Sequence, residues 1–281
     1  MAIRFGAPIF TRFDDPDDWA RAHAAKGYRA AYCPLPLDAE GDAVRAFSEA
    51  AVRHDLVISE VGAWSDPLSP DPDTAKAALE KCVAALDLAE RIGAGCAVNI
   101  SGSRGEPWDG PDAKNLTLET FAMIVEVSRQ IIDAVKPTRT FWTLEAMPWM
   151  YPTGPDEYLS LIRAIDRPGF GVHLDPVNMV NSPVRFYKNA DLIRESFRLL
   201  GPWLKNCHAK DISLSTALTT HLDEVIPGQG GLDYGVFLRE LERLGNPNVA
   251  LMLEHLKTEA EYDEAASYVR SVAAREKIPL L

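Results

Sequence analysis

Short apolar runs alternate along the chain with longer stretches of helical periodicity, and four of the apolar runs share the same ending. Phe141-Trp-Thr-Leu-Glu145, Phe170-Gly-Val-His-Leu-Asp175, Leu204-Lys-Asn-Cys-His208 and Ala250-Leu-Met-Leu-Glu254 each close on a carboxylate or an imidazole. Runs this short and this apolar read as strands buried on both faces, and Pro176 stops the second one by removing a ladder donor. A charge at the end of a buried strand is costly unless something neutralises it. The repeated ending therefore predicts that Glu145, Asp175, His208 and Glu254 are brought to one point.

The remaining pattern predicts strands over residues 3–7, 28–33, 56–61 and 96–100. Helices are expected from the acidic cap at 14–18 to Lys26, then over 42–54, 74–91, 116–135, 156–165, 190–200, 234–244 and 259–276. Asp at the first cap and Gly27 at its exit suit the unpaired helix ends. Buried strands alternating with helices imply parallel pairing through right-handed crossovers. Eight such units in 281 residues match a closed (β/α)8 TIM barrel, α/β in class, expected as a single domain over residues 1–281. The spacings agree: 30 residues from Glu145 to Asp175 and 33 on to His208 are about one unit each. The 46 residues from His208 to Glu254 carry an excess, assigned to a long loop over 212–231. An open doubly wound sheet would place a phosphate-binding glycine loop after an early strand, and none is present.

Composition narrows the function classes. With 47% hydrophobic and 25% charged residues the chain reads as an ordinary soluble globular protein. A formal net charge of -12 opposes binding to nucleic acid or anionic lipid. Cys33, Cys82, Cys96 and Cys207 are widely separated, without metal or redox spacing, and read as buried small hydrophobes. No signal-like or membrane-length apolar run is present, so the expected compartment is the cytoplasm.

Singly, a strand-end acid is ordinarily a cap and a lone histidine ordinarily a core residue. Four on consecutive strands read differently, because three converging carboxylates repel strongly without a cation. Three oxygen donors and one imidazole suit one divalent ion, manganese first, with magnesium, cobalt, iron or zinc as alternatives.

Beyond the strand ends, the segments Thr143-Leu-Glu145, Leu174-Asp-Pro-Val-Asn178, His208-Ala-Lys-Asp211, Pro227-Gly-Gln-Gly-Gly-Leu-Asp-Tyr234 and Leu253-Glu-His255 carry a resemblance. The chain resembles the xylose isomerase-like barrel superfamily, in the sugar phosphate isomerase/epimerase branch that includes ketose 3-epimerases. That resemblance implies that Glu145, Asp175, His208 and Glu254 ligate one metal and that Glu145 and Glu254 double as the proton-transfer pair. The residue types fit: a metal chelated by a carbonyl and its neighbouring hydroxyl acidifies the C–H between them. One carboxylate takes that proton, leaving an enediolate, and the other returns it to the opposite face. The chain departs from the epimerase pattern at Asn178, where a histidine is usual, and at Lys210, where an arginine is usual.

Other positions have two readings. His173 lies on the same inward face as Asp175, one layer deeper, where filling the layer outweighs a part at the substrate. Lys210 is expected either to contact substrate or to pair with Asp211 or Asp223. Trp64, Trp108, Trp149 and Tyr151 sit in loops where rings stack on sugars or line an apolar pocket. Glu60, at the end of the third strand, reads first as a helix cap or the partner of a base, with substrate contact as the alternative. Gly228-Gln-Gly-Gly231 reads as a turn into the seventh helix.

The leading expectation is a metal-dependent isomerase or epimerase of a small sugar, keto-sugar or polyol. The alternative is a lyase expelling a β-substituent from a 3-keto-glycoside or dehydrating an inosose. A DNA endonuclease on the same barrel would need more histidines than the six present. A non-catalytic barrel would not need all four ligand positions filled. The expected partner is the small-molecule substrate, with no nucleic acid and no membrane. A homo-oligomer is expected, or a second subunit if the lyase reading holds.

Overall fold

The computed structural model describes residues 2–281. In chain order its elements are β1 (Arg4–Gly6), α1 (Pro16–Ala25), β2 (Ala30–Tyr32), α2 (Gly41–Arg53), β3 (Val57–Gly62), α3 (Pro72–Ile92), β4 (Cys96–Asn99) and α4 (Leu118–Val135). They continue with β5 (Trp142–Glu145), α5 (Pro155–Ile165), β6 (Phe170–Leu174), α6 (Pro176–Met179), α7 (Pro183–Tyr187), α8 (Asn189–Leu200) and β7 (Leu204–Ala209). The last are β8 (Asp211–Leu214), β9 (Leu222–Val225), α9 (Tyr234–Leu244), β10 (Ala250–Leu253) and α10 (Glu259–Glu276). Eight strands close in the order β1-β10-β7-β6-β5-β4-β3-β2, all parallel, with helices between them. This is the TIM barrel that the strand–helix alternation predicts.

Local chemistry sets the helix ends. Pro16, Pro72 and Pro155 open α1, α3 and α5, where a missing N–H costs nothing. Asp15 and Asp71 cap their helices, and Thr258 with Glu261 forms a capping box on α10. Gly93 and Gly245 end α3 and α9 in the left-handed conformation.

The expectation for the long loop is corrected. Residues 212–231 are not a plain loop: β8 and β9 pair antiparallel, Asp211 opposite Val225 and Leu214 opposite Leu222. The two strands are four residues each and half-exposed toward their far end, so a short alternation is buried among polar residues in the sequence. Two short helices, α6 and α7, also precede α8 where one helix is expected.

Alternation along the strands decides what lies inside the barrel. Cys207 and Ala209 on β7, Val172 and Leu174 on β6, and Leu251 and Leu253 on β10 belong to the apolar layer beneath the helices. Their neighbours in sequence therefore face inward, because successive side chains point to opposite faces. At the bottom Ala30, Ala250 and Met252 form a small separate apolar plug. Above it the interior turns polar, with Glu60, His173, Asn206 and His208 all nearly inaccessible. The strands are thus apolar toward the helices and polar toward the axis, rather than apolar on both faces.

Two carboxylates organise the loops at the barrel's C-terminal end. Asp211 accepts backbone N–H groups from Ile212, Gly228, Gly230 and Leu232 at 2.8–3.1 Å, pinning the glycine-rich turn that leads into α9. A Cβ at Gly230 would meet Asp211 Oδ1 at 2.3 Å, so glycine is required for the close approach. Asp66, after β3, accepts from Leu68 N–H at 3.1 Å, and Gly102 at φ +93° packs against it. Burial pushes the Asp66 carboxyl up to about 7, with the amides of Leu68 and Ser103 pulling the other way.

Asp211→Ala strips acceptors from four amides and should lower unfolding stability in urea by about 2–4 kcal/mol, the scale of lost buried charge-assisted bonds. A loss below about 0.5 kcal/mol, typical of a surface change, would remove Asp211 as the anchor. For Asp66 the folded pKa, about 7, lies above the ordinary 3.8. Between those values the folded protein holds a proton that the unfolded chain has released, so stability falls as pH rises. Asp66→Asn should flatten that part of the stability–pH curve relative to wild type; an unchanged slope would contradict it.

Candidate active site

The inward rows of β5, β6, β7 and β10 rise to one height. Glu145 is the last residue of β5, His208 the penultimate residue of β7, and Asp175 and Glu254 come directly after β6 and β10. One ligand atom from each of the four lies within 4.8 Å of the other three. Pro176 makes Asp175 the N-cap of α6, so its Oδ1 accepts the amides of Val177 at 2.9 Å and Asn178 at 3.2 Å. That leaves Oδ2 for the centre of the group. His208 Nδ1 is 2.8 Å from Glu254 Oε2 and 3.3 Å from Glu145 Oε1. Asn178 donates through Nδ2 to Glu145 Oε1 at 2.9 Å.

Lys210 completes the cluster in a way its sequence neighbours do not announce. Its side chain is 1% exposed, and its ammonium lies 2.9 Å from Asp175 Oδ2, 2.9 Å from Glu254 Oε2 and 3.3 Å from Glu145 Oε1. The partners expected for it, Asp211 and Asp223, are engaged elsewhere or distant: Asp211 holds the loop amides, and Asp223 lies exposed on β9. The lysine points down the barrel axis because it shares the inward row of Asn206 and His208.

Charge in this space is unbalanced. Burial pushes the Asp175 carboxyl up to about 6, with Lys210 restraining the rise and Glu145 adding to it. Burial opposes ionisation of Glu145 too, but Lys210 and His208 hold it well below the ordinary carboxylate range. Glu254 is also lowered, by His208 and Lys210 against burial and against Glu145. Burial disfavours charge on His208, yet Glu254, Glu60 and Glu145 raise its pKa well above the ordinary imidazole value.

The donor set fits a divalent cation. Among the described residues, Asp175 Oδ2 and Glu254 Oε2 are buried without a hydrogen-bond partner. Lys210 pairs with both by charge alone, its 2.9 Å contacts falling outside hydrogen-bonding angles. Three carboxylates against one ammonium leave two negative charges, which a divalent ion neutralises while His208 serves as a neutral donor.

Beneath the quartet a second group is formed by Glu60, His173, Asn206 and the far edge of His208. Glu60 and His173 are placed here, at 2% and 0% exposure, rather than at the substrate. Glu60 is two residues short of the end of β3, which keeps its side chain a layer lower.

Above the quartet opens a cavity of about 390 Å³, lined by Glu145, Glu254, Trp64, Trp108, Asp109, Ile100, Met147, Asn178 and His255. A larger cavity of about 460 Å³, at the other end of the barrel, holds none of the quartet. The mouth cavity is at the strands' C-terminal ends, where barrels of this kind carry their chemistry. Trp149 does not line it; its Nε1 donates to Asp109 O at 2.8 Å and it borders an adjoining groove with Asn178. Tyr151 ties its loop to Leu116 O. Two further residues, Asn206 and Tyr32, join the site without being expected there. Asn206 could have been found from its place two residues before His208, as His173 is from Asp175. Tyr32, 6.4 Å from the His208 ring and bonded to Leu253 O, carries no such signal.

Comparison with known proteins agrees with this architecture. A family model described as xylose isomerase-like TIM barrel matches residues 18–272. No curated protein matches the sequence. Among solved structures, D-psicose 3-epimerase from Clostridium cellulolyticum H10 superposes with a TM-score of 0.70 at 15% identity, covering 98% of this chain and 99% of that one. A probable 3-DHS dehydratase from Bacillus anthracis gives 0.70 at 17% identity, over 97% and 99%. A xylose isomerase-like TIM barrel protein from Mycobacterium smegmatis, in complex with magnesium, gives 0.68 at 16% identity, over 98% and 97%. At these identities the likeness is one of fold.

Lys210→Met tests the charge balance. Breaking a buried pair typically costs about 3–5 kcal/mol, so chelator-treated variant should unfold earlier in urea by about that much. Added Mn2+ should recover part of the loss by binding the folded state. Unchanged stability in chelator would mean that the ammonium is not the counter-ion of the cluster.

Proposed function

The chain belongs to the xylose isomerase-like TIM-barrel family, and on that premise we propose that it is a divalent-metal-dependent isomerase or epimerase of a small keto sugar. One observation carries the reading: two buried, ionised glutamates, Glu145 and Glu254, bracket a histidine and an aspartate at the floor of a sugar-sized cavity. In the barrel order β5 and β10 are separated by β6 and β7, so the two glutamates approach the cavity from different sides. Glu145, Asp175, His208 and Glu254 would hold the ion, with manganese the favoured identity. Bound there, a divalent cation supplies electrophilic polarisation of a carbonyl and its neighbouring hydroxyl.

The side chains then have distinct tasks. A keto sugar enters between Trp64 and Trp108, whose apolar faces suit the C–H face of a pyranose or open-chain sugar. Glu145 or Glu254, ionised, removes the proton from the carbon next to the carbonyl, and the electron pair moves through the new C=C bond onto the carbonyl oxygen. Lys210, within reach of both glutamates, offsets the negative charge that accumulates. The opposite face is reprotonated through the other glutamate, which relays a proton from solvent at the cavity mouth while the first returns its own to solvent, and the configuration inverts. Asn178, bonded to Glu145, orients that carboxylate. A β-leaving group on the same intermediate would be expelled instead, which makes the lyase outcome a second branch of one mechanism.

The test is turnover in D2O with D-fructose, D-tagatose and a 3-keto-glucoside as probes, each with Mn2+. Deuterium should appear on the carbon beside the carbonyl, and Glu145→Gln or Glu254→Gln should lower turnover by about 10²-fold or more, the usual scale for a general base. Turnover without deuterium incorporation would point to a hydride shift and overturn the proton-transfer reading. Release of aglycone or water would select the lyase branch.

A further inference from the structure

The β8–β9 hairpin takes no part in proton transfer, yet it forms one wall of a groove beside the mouth cavity. Ile212 lies opposite Glu224, and Leu214 opposite Leu222. Residues paired this way share one face of the ribbon, and Ile212, Leu222 and Glu224 line the groove from that face. The rest of the lining comes from Trp149 in the loop after β5 and from α6 and its exit, with Val177, Asn178, Val180 and Asn181. The groove encloses about 380 Å³, nearly the 390 Å³ of the mouth cavity.

Groove and cavity meet at three places. Asn178 lines both. On one side Trp149, in the groove, donates Nε1–H to the carbonyl of Asp109, in the cavity, at 2.8 Å. On the other side Glu224 Oε2, in the groove, is 3.2 Å from Nδ1 of His255, in the cavity. A ligand seated over Glu145 and Glu254 can therefore extend past Asn178 into the groove. Asn178 gives its Nδ2–H to Glu145, which leaves its carbonyl oxygen for a hydroxyl donor.

The lining selects what fits there. Trp149 is 38% exposed with its N–H already satisfied, so it offers a carbon face rather than a polar edge. Buried Val177, Val180 and Ile212 add apolar surface, while exposed Asn181 and Glu224 supply an amide and a carboxylate. This mixture suits a sugar ring, whose C–H face packs on indole while its hydroxyls reach the polar groups. An anionic group does not fit. Among the described residues no lysine, arginine or histidine lines the groove, and Glu224 would repel it.

We infer that the groove is a subsite for a second sugar ring, and that the substrate is a keto-glycoside of two uncharged sugar units. The keto ring lies over Glu145 and Glu254, and the second ring lies against Trp149. The inference rests on the keto-sugar reading proposed above and adds the size and charge of the substrate.

The experiment compares 3-keto-cellobiose with methyl 3-keto-β-D-glucoside, each with Mn2+ in D2O. The reacting ring is the same in both, and only the second ring differs. Proton exchange should show kcat/KM higher by about 10-fold for the disaccharide, carried mainly by a lower KM, as one stacked ring with its hydrogen bonds provides. Trp149→Ala should bring the ratio close to one. Asn181→Trp places a ring at an exposed position, fills the groove and should also abolish the preference, so the test stands even if Trp149→Ala fails to fold. Calorimetry with cellobiose against methyl β-D-glucoside reads the same preference without turnover. Equal or lower kcat/KM for the disaccharide in wild type, or an unaltered ratio in the folded variants, would overturn the subsite. Preference for phenyl 3-keto-β-D-glucoside over the disaccharide would also overturn it, giving the groove to an apolar aglycone. Exchange into D-fructose with neither glycoside exchanging would overturn the inference and leave the keto-sugar reading standing. No exchange with any of these ketoses would sink that reading, and the inference with it.

Discussion

Negative charge held inside a protein is the constraint on which the upper barrel is built. Alternation along β5, β6, β7 and β10 sends Glu145, Asp175, His208 and Glu254 to the axis, where all but Glu254 are buried. Each carboxylate oxygen has to be matched, and the matching explains much of the local structure. Asp175 Oδ1 is matched by the first amides of α6, Asp211 by the glycine-rich turn before α9, and Glu60 by the His173 imidazole and the Asn206 amide. The oxygens left over converge on Lys210 and on the position an ion would take. Backbone and charge are therefore not separable here: the same residues that bring charge inward also cap helices and fix loops.

The arrangement separates two layers within one site. A lower layer, formed by Glu60, His173 and Asn206, is a buried hydrogen-bonded group beneath the quartet. An upper layer, formed by the two glutamates, Asn178 and the tryptophan-lined cavity, is where a keto sugar would meet a base. Abstraction next to a carbonyl serves epimerisation, isomerisation and β-elimination alike, so identical machinery suits more than one outcome. A leaving group on the substrate, or its absence, decides which outcome the abstraction leads to.

Much of this was legible in the sequence, for a physical reason. A buried strand that ends on an acid is energetically conspicuous, and four in succession at near-unit spacing left few folds and few chemistries to consider. The ends of α1 were legible for the same reason, since Asp15 in the acidic stretch and Gly27 at the exit suit the unpaired backbone groups there. Three features were not. The sequence neighbours of Lys210 suggest Asp211 and Asp223 as its partners, whereas its real partners come from three other strands. The pattern leaves Glu60 between substrate contact and pairing with a base, because a strand's last residue cannot be fixed from pattern alone, and an offset of two residues moves a side chain down a full layer to His173. The β8–β9 pair hid because each strand has only four residues and little burial to shape its sequence. In each case the deciding contact joins residues that the local pattern does not connect.

The central claim is that Glu145, Asp175, His208 and Glu254 form one divalent-ion site. An anomalous difference map from a crystal grown with Mn2+ tests it most directly. The account predicts one strong peak per chain, about 2.0–2.3 Å from a carboxylate oxygen of each acid and from Nδ1 of His208, as such ligand bonds require. A map with no peak at that position, or with the ion held elsewhere while Lys210 keeps its contacts to all three carboxylates, would contradict it.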